Sequence, residues 1–159
     1  VNPLYTVSAA LEKMKKYCAF QERCIAEVRQ KLASEGFRGE PAEFVIAELI
    51  SEGFINEERF ARSFARGKFR INQWGRVKIE AGLRAKGISS ACIQRGMSEI
   101  SETEYSSSVK KWALKLKPKT GNPAKDRKLW MQRLMSRGVE PDWIYRLTGS
   151  QTSEEEPLD

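Results

Sequence analysis

Apolar residues recur along this chain at intervals of three and four, the spacing that gathers side chains on one face of a helix. Cys24, Ile25, Val28 and Leu32 form one such stripe, Val77, Ile79 and Leu83 a second, and Leu129, Trp130 and Leu134 a third. Each stripe runs into the same terminator, a Leu, three variable residues, a Gly and an apolar residue. It occurs at Leu32 to Gly36 and Phe37, Leu83 to Gly87 and Ile88, and Leu134 to Gly138 and Val139. A glycine there lets the chain leave the helix in the left-handed conformation while the next apolar residue folds back on the last turn. Both intervals between these glycines are 51 residues. Two equal intervals with the same flanks define a tandem repeat.

Helix starts follow each glycine. Pro41, Ser90 and Pro141 stand where a first helical residue or N-cap belongs, ahead of Phe44, Val45, Ile46 and Leu49, of Ile93 and Met97, and of Trp143, Ile144 and Leu147. A further helix precedes each glycine-terminated one, at Ala9 to Tyr17, Asn56 to Ile71 and Glu102 to Leu116. Strict period-two alternation is missing and β-branched residues are sparse, so no sheet is expected. The pattern predicts an all-α fold of three tandem three-helix repeats, residues 1–55, 56–100 and 101–150, followed by an acidic tail, 151–159, that reads as disordered. A unit of roughly 50 residues buries little surface alone, so the repeats are expected to stack into an elongated, curved molecule. Lys117 to Pro123 reads as an exposed loop, with Asn122 as N-cap and Pro123 as the first helical residue.

Charge adds a direction to this picture. The net formal charge of +7 is distributed as −1, +6 and +6 over the three repeats and −4 over the tail, which places a basic surface in the second and third repeats and points to an anionic partner. Cys18, Cys24 and Cys92 are odd in number and form no C-x-x-C pair, and the chain has no His. They read as small apolar residues, and neither a disulfide framework nor a standard zinc site is expected. Without His, a P-loop, a dinucleotide fingerprint or clustered carboxylates, no catalytic constellation can be assembled, so the chain is expected not to be an enzyme. No apolar run approaches the ~18 residues of a membrane span and no signal peptide opens the chain. A cytoplasmic protein with no membrane partner is expected.

Within the second repeat, Gly53-Phe54-Ile55-Asn56-Glu57-Glu58-Arg59-Phe60-Ala61 is followed by Gly75, Ile79, Leu83, Lys86, Gly87 and Ile88, and preceded in the first repeat by Leu32-Ala33-Ser34-Glu35-Gly36-Phe37. These segments resemble the RecX family, whose signature reads G-[YF]-[LI]-[DN]-[DE]-x-x-[FY]-A and then G-x-x-x-I-x-x-x-L-x-x-K-G-I. The likeness covers about Ala9 to Ile100. The third repeat shares only the periodic Leu and Gly. The resemblance implies a helical, cofactor-free regulator of recombination and DNA repair that binds the RecA filament on single-stranded DNA. Such a protein suppresses the filament's ATP hydrolysis, strand exchange and stimulation of repressor self-cleavage. A monomer is expected, with weak direct DNA binding as an open possibility. Short helices joined by Gly turns are also the grammar of helix-turn-helix proteins, so a helical DNA-binding module acting without RecA is the alternative, and a purely structural helical adaptor a third reading.

The signature itself is mostly structural: Asn56 caps a helix, Glu57 and Glu58 sit at its positive end, and Phe60, Phe64 and Ile71 are expected to form its buried stripe. On the opposite side Arg59, Arg62, Arg66 and Arg70 recur at i, i+3, i+7 and i+11, and only Glu58 is placed to pair with one of them, Arg62. Arg76, Lys78, Arg84 and Lys86 on the next helix extend the cluster. These eight residues are the candidate filament- or DNA-binding surface, to be weighed against a merely solvated face. Trp74, beside them, reads either as a stacking residue or as a helix-packing one. The lysines at 110, 111, 115, 117 and 119 read as solubilising, and Trp112, Trp130 and Trp143 as core.

Overall fold

The computed structural model describes residues 3–149 of the 159-residue chain. The predicted acidic tail lies outside the described residues. Among these, the secondary structure is helix alone: α1 (Pro3–Phe20), α2 (Ile25–Ser34), α3 (Glu40–Ser51), α4 (Glu57–Arg70), α5 (Arg76–Ala85), α6 (Ser90–Met97), α7 (Glu102–Leu116), α8 (Pro123–Arg137) and α9 (Pro141–Gly149). The nine fall into three successive triplets, as the repeat predicts. Gly36, Gly87 and Gly138 all follow the middle helix of a triplet with φ of +87°, +74° and +87°. The next residue closes the motif each time, Phe37, Ile88 and Val139 donating their N–H to Leu32, Leu83 and Leu134.

Packing divides the chain differently from the repeat. One compact unit consists of residues up to Ala65 together with Gly82–Ser98, and the other of Arg66–Ala81 together with the residues from Glu99 on. Helices α4 and α5 therefore each contribute to both. In the first unit Met14, Val28, Leu32, Val45 and Leu49 are fully buried where α1, α2 and α3 meet. There Glu27 completes a capping box by accepting the N–H of Cys24 at 3.1 Å. Helix α6 lies close against α4: a Cβ added to Gly96 would sit 2.7 Å from the carbonyl oxygen of Ala61.

The second unit is built around aromatic side chains. Tyr105 is fully buried, with the rings of Phe69, Trp112 and Trp143 at centroid distances of 5.8, 6.5 and 6.3 Å. Trp130 is buried as well and donates its indole N–H to the carbonyl of Ala113 at 2.9 Å. The start of α5 docks on the end of α8. The N–H of Gly75 bonds to the carbonyl of Arg137 at 2.7 Å and that of Val77 to Gly138 at 2.9 Å, so unpaired donors of one helix start meet unpaired acceptors of another helix end.

Three sequence expectations need correction. Ile71 is exposed, because α4 ends at Arg70 and the stripe cannot continue past it; the buried residues of α4 are Phe60, Ala61, Ala65 and Phe69. Phe44 and Val77, counted with the apolar groups, are also exposed. The loop before α8 is only partly exposed, since Pro118 is buried. Its far side matches the expectation: Asn122 caps α8, accepting the N–H of Lys125 at 3.2 Å.

That loop carries a pH-sensitive clasp. The hydroxyl of Thr120 donates to Asp126 and, with the N–H of Thr120 at 3.1 Å, holds the carboxyl below its ordinary value. A depressed carboxyl contributes stability at pH above its ordinary value, which is lost as pH falls through the lowered one. Protection of the Thr120 amide, its exchange relative to the unstructured rate at the same pH, is therefore expected to persist from neutrality down to the ordinary Asp range and to fall below it. In Asp126→Asn that acid step should vanish; its persistence would refute the clasp.

Candidate functional site

Helix α4 starts as the sequence requires, with Asn56 accepting the N–H of Arg59 at 2.9 Å and Glu57 and Glu58 in the first turn. Its arginines, however, are matched by carboxylates from other parts of the chain. In the first unit Arg59 meets Glu22 at 2.6 Å and donates to the carbonyl of Gly53 at 3.0 Å. Arg62 pairs with Glu58 at 3.0 Å, and the same carboxylate takes Arg95 at 3.0 Å. The hydrogen bond from Arg62, reinforced by the charge of Arg95, holds the Glu58 carboxyl below the usual range. Lys86 lies 3.4 Å from Glu27, and Arg84 is exposed in the last turn of α5.

The second unit holds the other four candidates. Arg66 pairs with Glu99 at 3.3 Å, and Arg70 grips both oxygens of Glu104 at 3.0 and 3.3 Å. These α4 pairs stay open to solvent, the arginine side chains of Arg59, Arg62, Arg66 and Arg70 being 45, 35, 43 and 54% exposed. Such pairs contribute little stability, about 0–1 kcal/mol each, and their partners can be exchanged for another anion.

Arg76 differs in kind. Its guanidinium stacks 3.9 Å from the ring centre of Tyr105 and pairs with Glu140 at 3.3 Å and with Glu102. The Tyr105 hydroxyl donates to Glu140 and accepts the N–H of Arg76 at 3.2 Å. Burial, then the hydrogen bond to Glu140, pushes the Tyr105 phenol far up, so the hydroxyl keeps the proton it donates to Glu140. Lys78 instead stands 4.7 Å over the ring of Trp74, which Lys68 also approaches, at 4.8 Å.

Two groups of residues escaped the sequence reading. One is the set of carboxylates Glu22, Glu99, Glu102, Glu104 and Glu140, which are remote in sequence from the cations they meet. The other is Arg133 and Arg137, which share a groove with Trp74 and Lys78; their i, i+4 spacing on α8 was the available signal. The predicted lysines divide: Lys117 sits 5.2 Å over the ring of Trp130, while those at 110, 111, 115 and 119 are exposed. Trp112 and Trp130 are core, and Trp143 is half-buried.

Among the described residues, no group of three His, Cys, Asp or Glu side chains could hold a metal ion, and no helix is long and apolar enough to cross a membrane. Cys18 and Cys24 are buried free thiols, and burial pushes both up, Cys24 to about 11. Neither is an activated nucleophile.

Tandem three-helix units define a class of all-helical proteins. Residues 10–49 match the family model described as the first three-helix domain of RecX, and residues 56–97 that of its second three-helix domain. The regulatory protein RecX of Prosthecochloris aestuarii is 30% identical over 136 residues, covering 85% of this chain and 88% of that protein. That of Lactobacillus johnsonii is 29% identical over 98 residues, covering 62% of this chain but 36% of its own length. The chain thus spans about a third to a half of the length of several curated relatives. A crystal structure of regulatory protein RecX superposes with a TM-score of 0.80 at 22% identity, covering 91% of this chain and 73% of the other. The chain belongs to the RecX family, a family of regulatory proteins.

Proposed function

We propose that this protein regulates homologous recombination and DNA repair by binding and inhibiting the RecA filament on single-stranded DNA, acting as a cytoplasmic, monomeric, non-enzymatic inhibitor. Membership of the regulatory RecX family carries the reading. The candidate surface supports it: Arg59, Arg62, Arg66 and Arg70 follow one another along α4 with half-exposed guanidinium groups held by half-buried carboxylates. Lys78 and Arg84 continue the basic series along α5, Lys86 follows the end of that helix, and Arg76 anchors its start. A partner that offers several spaced anions can replace those carboxylates one by one, and each exchange contributes modestly.

Changing Arg59, Arg62, Arg66 and Arg70 together to Gln preserves helix propensity and the buried side of α4. With the cognate RecA on single-stranded DNA, inhibition of ATP hydrolysis is expected to weaken severalfold or more. The urea midpoint should stay near the parent's. Full inhibition by a normally folded quadruple variant at physiological salt would remove this face from the mechanism.

The alternative, action on DNA without RecA, is favoured by one observation, the aromatic and cationic groove around Trp74. Salt separates the two: free DNA binding weakens steeply with added salt, whereas filament recognition requires RecA to be present.

A further inference from the structure

We propose that the groove around Trp74 in the second unit binds single-stranded nucleic acid, stacking an unpaired base on the indole and holding adjoining phosphate on Lys78, Arg133 and Arg137. This deepens the proposed function by giving the protein its own hold on the strand inside the filament, and rests on that function only for which strand is met.

Shape and charge carry the inference together. The groove has a volume of about 450 Å³, and the residues lining it include no Asp or Glu. That separates it from the α4 face, where each arginine already holds a carboxylate. The two guanidinium groups are fixed through one nitrogen each. Nη1 of Arg133 donates to the carbonyl of Leu116 at 3.0 Å, and Nη1 of Arg137 to the side-chain oxygen of Gln73 at 3.0 Å and to its carbonyl at 3.5 Å, with the guanidinium 5.8 Å over the ring of Trp112. An arginine has five donors, so contacts through one nitrogen orient the fork while leaving the other N–H groups suited to phosphate oxygens.

The ring is held too. The N–H of Trp74 bonds to the carbonyl of Lys68 at 3.0 Å, which fixes where the indole leaves the backbone. It is half-buried, and both nearby ammonium groups reach it on long flexible stems. Contacts of that kind are weak, because each ammonium group keeps access to water. A base can therefore displace an ammonium group from the ring, and the ammonium can then turn to the phosphate beside that base. An aromatic platform among cations is how proteins hold single strands. Duplex DNA covers its base faces by stacking, so a groove of this kind discriminates against it. An acidic polypeptide would satisfy the cations while leaving the indole unused, so dependence on Trp74 distinguishes it from a nucleic acid.

The test uses the full chain without RecA and a short fluorescein-labelled oligothymidylate, read by anisotropy across a salt series. Trp74→Leu is expected to weaken binding about tenfold and Trp74→Phe much less, since a ring remains. Lys78→Gln with Arg133→Gln should lower affinity and flatten the salt dependence by roughly one to two in log–log slope. In the quadruple α4 variant Trp74→Leu should still weaken oligonucleotide binding about tenfold, so loss of filament inhibition in that variant and loss of strand binding at Trp74 are separate results. Should Trp74→Leu fail to fold, the parent labelled with 5-fluorotryptophan gives the answer: the Trp74 resonance should move with added oligothymidylate while that of Trp130, outside the groove, stays. Equal binding of duplex, full competition by polyglutamate without effect of the Trp74 changes, or an unmoved Trp74 resonance would each overturn the proposal.

Discussion

Replacing Gly138 by alanine is expected to destabilise the second unit by about 3–5 kcal/mol, while the same change at Gly87 costs about 1–2. Both glycines occupy the left-handed region, at φ of +87° and +74°, and an L-residue pays about 1–2 kcal/mol to enter it. At Gly87 nothing lies within 4 Å of an added Cβ, so that conformational cost is the whole effect. At Gly138 the new atom would sit 2.3 Å from Cβ and 2.7 Å from N of Lys78. Backbone cannot step aside cheaply, and retreat of α5 would stretch the bonds from Gly75 and Val77 to the end of α8. All four tryptophans belong to the second unit. Tryptophan fluorescence in urea therefore follows that unit, whereas far-ultraviolet circular dichroism follows both. The fluorescence midpoint should fall sharply for Gly138→Ala, and the circular dichroism midpoint only modestly for Gly87→Ala, which lies in the first unit; a small fluorescence shift for Gly138→Ala would mean that α5 does not press on Gly138 in solution.

The contrast between these glycines shows which part of the fold the sequence made legible. A helix end is a local event, written in the Leu, the Gly and the apolar residue that follows, so three equivalent ends could be placed by spacing alone. What meets those ends is not local. Nothing around Gly75 explains why a glycine stands there, beyond its place in the family likeness. Its reason is that a Cβ there would lie 2.3 Å from the carbonyl oxygen of Gly138. Ile71 shows the opposite failure, a periodicity carried one residue past the end of its helix. Because α4 belongs to two units, its buried positions run from Phe60 to Phe69, which lie about 180° apart around the helix at roughly 100° per residue, and a single stripe could not describe them.

The candidate surface was legible to the same degree. Helical spacing aligned Arg59, Arg62, Arg66 and Arg70, and it paired Arg62 with Glu58 because that contact is one turn away. It could not supply Glu22, Glu99 or Glu104, which arrive from elsewhere in the chain and set how much positive charge each arginine presents. Charge counting alone overstates a face whose cations are already matched. It also treats Arg76 and Arg84, at opposite ends of α5, as equals.

They are expected to differ sharply. Arg76→Gln should lower the stability of the second unit by about 2–3 kcal/mol, whereas Arg84→Gln should change stability by no more than about 0.5. The Arg76 side chain is 20% exposed and its partner Glu140 26% exposed, so the pair is screened less than a surface pair and more than a buried one. The estimate therefore stays below the roughly 3–5 kcal/mol of breaking a fully buried pair. Glutamine removes the charge opposite Glu102 and Glu140 and the cation stacked on Tyr105. It leaves Glu140 with the Tyr105 hydroxyl and without its guanidinium. Tyr105→Phe should in turn cost about 1–3 kcal/mol, since Glu140 then loses that hydroxyl. The double variant should cost less than the sum of the two, because both changes strip the same carboxylate. Urea midpoints by tryptophan fluorescence measure the Arg76, Tyr105 and double variants, and by circular dichroism Arg84→Gln, which lies in the first unit. An Arg76→Gln protein as stable as its parent would reduce the cluster to a solvent-screened ion pair, and Arg76 would then return to the candidate binding residues on the same footing as Arg84.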